Sequence, residues 1–234
     1  MRFSLTILLL CAASVITLAG RAENSTQPNV LLIISDDQSW GDYSFLGHPH
    51  IKTPHLDKLA GESLTYTRGY VAAPLCRPSL ASIFSGRHPH EHGITGNDPR
   101  IQSGKRAGRT NPELAPLYDA IMDRIDDEPG LAHLLGRAGY LSLQTGKWWE
   151  GDPKKRGGFT HAMTHGDPKR GGRHGDAGLK ISRQGIKPIT DFIDEAGKKK
   201  KPFFIWHAPF LPHTPHNPPA RLFEKYRAKS TSRF

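Results

Sequence analysis

Cysteine is nearly absent, with Cys11 and Cys76 the two examples in 234 residues. After residue 22 the chain lacks any apolar run near the roughly 20 residues that a membrane-crossing helix needs, which excludes a stable membrane span in that part. Acidic residues are few beside basic ones, 22 Asp and Glu against 32 Lys and Arg, for a formal net charge of +10. That surplus attracts polyanions. No zinc-finger or RNP-type signature accompanies it, so nucleic acid is excluded as the expected partner. The cations cluster in KKR at 154–156, KRGGR at 169–173 and KKKK at 198–201. These polar segments read as solvated loops, or as a surface drawn to a polyanionic substrate.

What stands at the start is a leader pattern. Arg2 precedes a run from Leu5 to Leu18 of apolar, small and hydroxylic residues broken by Cys11, and the segment closes in Leu-Ala-Gly-Arg-Ala. This predicts a cleaved signal peptide over residues 1–22 and an exported protein, periplasmic or secreted. Loss of Arg2 and Arg21 with the leader lowers the formal charge from +10 to +8. It also removes Cys11 and leaves Cys76 without an intramolecular partner. An unpaired cysteine in an exported chain makes an intermolecular bridge, lies inert in a core, or reacts.

The remaining residues suffice for one domain with one core. NVLLIIS at 29–35 is a continuous apolar, β-branched run of the kind buried on both faces of a parallel sheet. Thr53 and Pro54 open a helix over 53–63, and LTYTRGYV at 64–71 alternates as a second strand. A helix is expected over 79–84 and a helical stretch over 117–124 within a Gly- and Pro-rich excursion at 95–129. Helix, Gly139 stop and strand at 140–144 follow. Residues 151–185 read as an insertion or mobile loop. A second helix, glycine and strand unit places its strand at 203–206, and PPARLFEKYR forms a last short helix. Strands separated by helices predict an α/β fold with a mostly parallel sheet sandwiched by helices.

Ligand sites in such folds lie beyond the carboxyl ends of the strands. Asp36 and Asp37, Lys147, and the His207, His213 and His216 group each follow one expected strand directly, and the Cys76 loop follows another. Adjacent carboxylates at a strand end either cap a turn in solvent or hold a hard divalent cation. Cys76 beside a helix amino terminus is either a thiol activated by the helix dipole or a buried structural one. Lys147, between Gly146 and two tryptophans, suits an oxyanion contact or sits on the surface. The four prolines of HAPFLPHTPH stiffen the segment that carries the histidines.

In order along the chain, NVLLIISDDQSWGD, KTPHLDKLAGES, APLCRPSLASIFSGRHPHEHGI, LAHLLGRAGYLSLQTGKW and PFFIWHAPFLPHTPH resemble the sulfatase family of the alkaline-phosphatase superfamily. The resemblance implies a sulfate-ester hydrolase, arylsulfatase-like, whose motif cysteine becomes formylglycine through a maturation enzyme. Carried to this sequence, Asp36, Asp37 and residue 76 would hold a divalent metal, usually Ca2+ with Mg2+ as the alternative. The hydrate at 76 would be the nucleophile, Lys147 would hold the sulfate, and His213 would serve as general acid or sulfate ligand. Sulfated carbohydrate is the substrate class that the basic balance favours. The chain departs from the family pattern at Leu80, where the motif has arginine, and at Trp149, where it has histidine. It ends before the family's second Asp-Asn metal pair, so residues 28–234 read as the N-terminal part of a catalytic domain. A phosphoester or phosphonate hydrolase on the same fold, and a truncated or degenerate domain that binds anionic glycans without catalysis, stay open.

Overall fold

A computed structural model describes residues 27–99, 114–127, 129–165 and 180–227; the expected signal peptide and the KRGGR cluster lie outside them. The centre is a four-stranded sheet, all parallel, built from β1 (Val30–Ile33), β2 (Leu141–Gly146), β3 (His161–Ala162) and β4 (Phe203–Ala208) in the order β1-β4-β2-β3. The register sets Leu31 beside Ile205 and Leu143 beside the same Ile205. Helices α1 (Pro54–Gly61), α2 (Cys76–Ser85), α3 (Pro89–His92), α4 (Ala115–Met122), α5 (Leu131–Arg137), α6 (Lys187–Lys198) and α7 (Ala220–Arg227) complete the described elements with two short 3-10 turns.

Alternation along β4 divides the core. Phe204, Trp206 and Ala208 point to one face, where Phe84 of α2, Trp148, Phe159, Tyr140 and Ala132 pack. Ile205 points to the other, against Leu143, Ile181, and Ile189 and Phe192 of α6. Phe84 is the hub of the first face, edge-on to Trp148 with ring centroids 5.0 Å apart. Offset and edge-to-face aromatic pairs of this kind add to simple area burial. β4 is therefore apolar on both sides up to His207, as its run in the sequence requires, while β2 buries Ser142, Gln144 and Thr145 beside its leucines.

Three expectations change. Residues 64–71 form turns and irregular backbone instead of a strand, with Leu64, Tyr66, Tyr70 and Val71 exposed. Their alternation is real, but among the described residues no strand lies alongside to accept their backbone hydrogen bonds, and a strand is stable only in a ladder. Within 151–185, His161 and Ala162 join the sheet beside Leu143 and Gln144. The helix expected from 79 begins three residues earlier, at Cys76. Leu75 is extended and Gly86 adopts the left-handed conformation that ends α2.

Candidate active site

The site lies beyond the carboxyl ends of β1, β4 and β2. After β1 the backbone N–H of Asp36 donates to the Leu211 carbonyl at 2.9 Å, and Asp36 forms a parallel bridge with Pro212. The end of β1 is thereby fastened to the segment after β4 that carries His213. At the end of β2, Gly146 turns with φ +80°, and a Cβ there would lie 1.9 Å from the Ala208 carbonyl oxygen. Glycine is required, because the next backbone N–H, that of Lys147, donates to this same carbonyl at 2.7 Å. The turn sends the Lys147 side chain inward.

Lys147 is 1% exposed. Its Nζ donates to Asp36 Oδ2 at 2.6 Å and lies 4.8 Å from the ring centroids of both Trp149 and Phe210. An ammonium between two aromatic faces and a carboxylate is held in position by all three. Cys76, the first residue of α2, directs Sγ to 3.4 Å from Asp36 Oδ1. Burial pushes its thiol pKa up, with the Lys147 cation opposing and the Asp36 carboxylate adding to the shift. Burial and the helix end therefore pull this thiol in opposite directions. His213 stacks on Phe210 at 4.3 Å between centroids. Its Nδ1 lies 2.7 Å from the Thr214 carbonyl, which can only accept, so Nδ1 carries the proton and Nε2 is left 3.4 Å from Asp37 Oδ2.

Asp36, Cys76 and His213 bring one ligand atom each within 4.8 Å of one another. Asp37 stands at the outer edge, mostly exposed, in the left-handed region at φ 59°. A cleft of about 460 Å³ opens over Asp36, Asp37, Cys76, Ser79, Leu80 and Lys147. Of the other two histidines, His216 is exposed. His207 lies in the sheet, donating from Nδ1 to Thr145 Oγ1 at 2.8 Å and accepting at Nε2 from Ser182 Oγ at 3.1 Å. Thr145 itself donates to the Trp206 carbonyl, which sets that direction. Burial lowers the His207 pKa.

Two features went unnoticed in the sequence. Arg77, beside Cys76, is fully buried and grips Glu150 bidentately, Nε to Oε1 at 2.9 Å and Nη2 to Oε2 at 2.7 Å. This pair ties the start of α2 to the loop after β2. Opposite charges inside two otherwise apolar motif segments were the available signal. Phe210 was the second, an aromatic among prolines whose ring meets both Lys147 and His213. Leu80 and Trp149, the two departures from the family pattern, line one small cleft together.

Comparison with known proteins bears on this arrangement. The sulfatase family matches residues 28–233. The chain is 36% identical over 140 residues to N-acetylgalactosamine-6-sulfatase of Homo sapiens, covering 59% of this chain and 24% of that protein. It is 33% identical over 167 residues to arylsulfatase D of Homo sapiens, covering 70% and 26%. Among solved structures it is similar to Ps i-CgsB in complex with k-i-k-neocarrahexaose, with a TM-score of 0.61 and 25% identity over 88% of this chain and 50% of that one. It shares the fold of the phosphonate monoester hydrolase of Agrobacterium radiobacter, with a TM-score of 0.57 and 20% identity over 85% and 44%. The chain spans about a quarter of the length of the curated relatives it matches. With a family match through nearly all of the sequence and a parallel sheet that gathers the matched motifs at one end, the chain belongs to the sulfatase family.

Proposed function

We propose that the protein is an exported sulfate-ester hydrolase acting on sulfated carbohydrate, with residues 28–234 as the N-terminal part of its catalytic domain and residues 1–22 as its signal peptide. The observation that carries the reading is the convergence of Cys76, Asp36, Lys147 and His213 at one sheet end. The surplus of basic over acidic residues suits an anionic polymer.

The donor set bears on the metal that the family implies. With residue 76 as an aldehyde hydrate, it joins the carboxylates Asp36 and Asp37 as a hard oxygen donor, which fits Ca2+ or Mg2+. Such an ion lowers the pKa of a hydroxyl it holds and offsets sulfate charge. The hydrate supplies one hydroxyl for attack on sulfur and a second whose ionisation later expels sulfate. Lys147, fixed by Asp36 and two rings, directs its ammonium at a sulfate oxygen as negative charge develops there. The proton on Nδ1 of His213 is committed to Thr214, so Nε2 is the atom that exchanges protons with the site, and only the imidazolium form, with a second proton on Nε2, would donate to the departing alcohol oxygen. Asp36 orients both Lys147 and residue 76. A formylglycine-generating enzyme is the maturation partner this reading requires.

A non-catalytic domain that retains anionic glycans is the second reading. It draws on Trp149, which cannot transfer a proton, and on Leu80, which cannot support a hydrate by hydrogen bonding. Intact mass and parallel assays with 4-nitrophenyl sulfate and 4-nitrophenyl phosphate separate the readings. Hydrolysis of the sulfate ester, lost in Cys76→Ala, with the mass showing the CH2–SH of residue 76 oxidised to an aldehyde, is the expected result. An unmodified Cys76 in the exported protein, with sulfated polysaccharide retained but no ester cleaved, would overturn it.

A further inference from the structure

The donors at the sheet end have a different character while residue 76 is still a thiol. The group then offers one sulfur, one imidazole nitrogen and the carboxylates of Asp36 and Asp37, against the six to eight oxygens that calcium takes. Thiolate and imidazole are the ligands that zinc selects, usually four in a tetrahedron. We propose that the protein with Cys76 unmodified binds one zinc ion through Cys76 Sγ, His213 Nε2 and Asp36 Oδ1, with Asp37 completing the set. This concerns the thiol form and does not rest on the proposed sulfatase activity.

The geometry supports three of the donors as a group and places the fourth, Asp37, beside His213. Zinc bonds of about 2.0–2.3 Å in a tetrahedron put neighbouring donors about 3.3–3.8 Å apart. Cys76 Sγ lies 3.4 Å from Asp36 Oδ1, and His213 Nε2 lies 3.4 Å from Asp37 Oδ2. Cys76, His213 and Asp36 bring one ligand atom each within 4.8 Å of one another, so small side-chain rotations close these three, and Asp37 reaches the set through its place beside His213.

The surroundings of the ligands also match. Metal-binding histidines hold their other ring N–H on a carbonyl or carboxylate, which fixes the tautomer. The proton on His213 Nδ1 is already given to the Thr214 carbonyl at 2.7 Å, so the lone pair stands on Nε2. Asp36 gives Oδ2 to Lys147 at 2.6 Å, which leaves Oδ1 toward the sulfur. Charges balance when the site is filled. The double charge of the ion and the single charge of Lys147 meet the thiolate, Asp36 and Asp37. Binding releases the thiol proton to solvent, and no oxidant or reductant is needed.

The consequence is a capped precursor. A zinc-bound sulfur is shielded from oxidation for as long as the ion is held. The experiment uses the full chain, with intact mass establishing the thiol at Cys76, titrated with cobalt(II) chloride as a spectroscopic stand-in for zinc. The expected result is one equivalent per chain, a thiolate-to-cobalt charge-transfer band, and tetrahedral d–d bands that zinc chloride bleaches and calcium chloride in large excess does not. Cys11→Ser retains these bands, Cys76→Ser loses the charge-transfer band, and His213→Gln weakens binding tenfold or more, with circular dichroism verifying the fold of each. Absence of the band in the wild-type chain, its survival in Cys76→Ser, or displacement by calcium would each overturn the proposal.

Discussion

The ammonium of Lys147 and the carboxylate of Asp36 meet at 2.6 Å although they are 111 positions apart in the chain. The contact joins the ends of β1 and β2, which are not neighbours in the sheet, across the end of β4. Both groups are buried, so each depends on the other to leave water. Removing one partner of a buried pair costs about 3–5 kcal/mol. Lys147→Met is expected to lower urea stability by that amount, and Asp36→Asn combined with it to recover much of the loss. A double-mutant cycle measures this; strictly additive losses would show that the two groups are not coupled.

Arg77 and Glu150 invite the opposite experiment, because their pair faces the aromatic core instead of the cleft. Arg77→Met strands the Glu150 carboxylate and is expected to cost about 3–5 kcal/mol. Arg77→Met with Glu150→Leu removes both charges and their desolvation together. Its denaturation midpoint is expected to return close to wild type or above it. A double variant no more stable than the worse single one would contradict the desolvation account.

Gly146 and Gly136 give predictions of opposite sign. At Gly146 an added Cβ meets the Ala208 carbonyl at 1.9 Å with φ at +80°. Gly146→Ala should cost at least about 2 kcal/mol and move Lys147 out of register. At Gly136, inside α5, nothing stands within 4 Å of an added Cβ. Gly136→Ala should stabilise by about 0.5–1 kcal/mol. Thermal melting of the two variants checks both signs.

Stability is expected to fall on mild acidification. His92 and His207 are buried, and burial lowers both pKa values. His92 accepts from the Ile94 N–H at Nδ1 and must donate from Nε2 to Ser82 Oγ, so its neutral form fills both bonds. As pH drops below about 6.5, the ordinary histidine value, the unfolded chain takes up protons that the folded one refuses. The stabilisation is complete above that pH, declines beneath it, and levels off once pH passes the lowered folded values. The melting temperature of the wild type should follow this course, with a shallower decline in His92→Gln. An equally steep decline in the variant would assign the effect to other groups.

Much of this was legible in the sequence, and for physical reasons. Runs such as Phe203–Ala208 are apolar on both faces, and only a covered parallel sheet accommodates them. Polar groups directly after such runs have to sit at the sheet end, so Asp36, Lys147 and His213 could be expected near one another. Residues 64–71 failed because alternation reports a surface and not a pairing partner. The grip of Arg77 on Glu150 spans 73 positions, and no local rule connects residues so far apart. Nor did the sequence tell how far the Cys76 sulfur would be buried, since that depends on what surrounds it.

The rim of the sheet has its own consequence. Leu31 and Ile33 of β1 are 50% and 58% exposed, on the face that α6 covers only farther along, at β2 and β4. Among the described residues no strand pairs with the outer side of β1. An uncharged, unprotected edge of this kind is a template for another chain's backbone. Association of this polypeptide through that edge is expected to rise with its concentration and to weaken in Leu31→Lys, as size-exclusion chromatography over a range of concentrations would show.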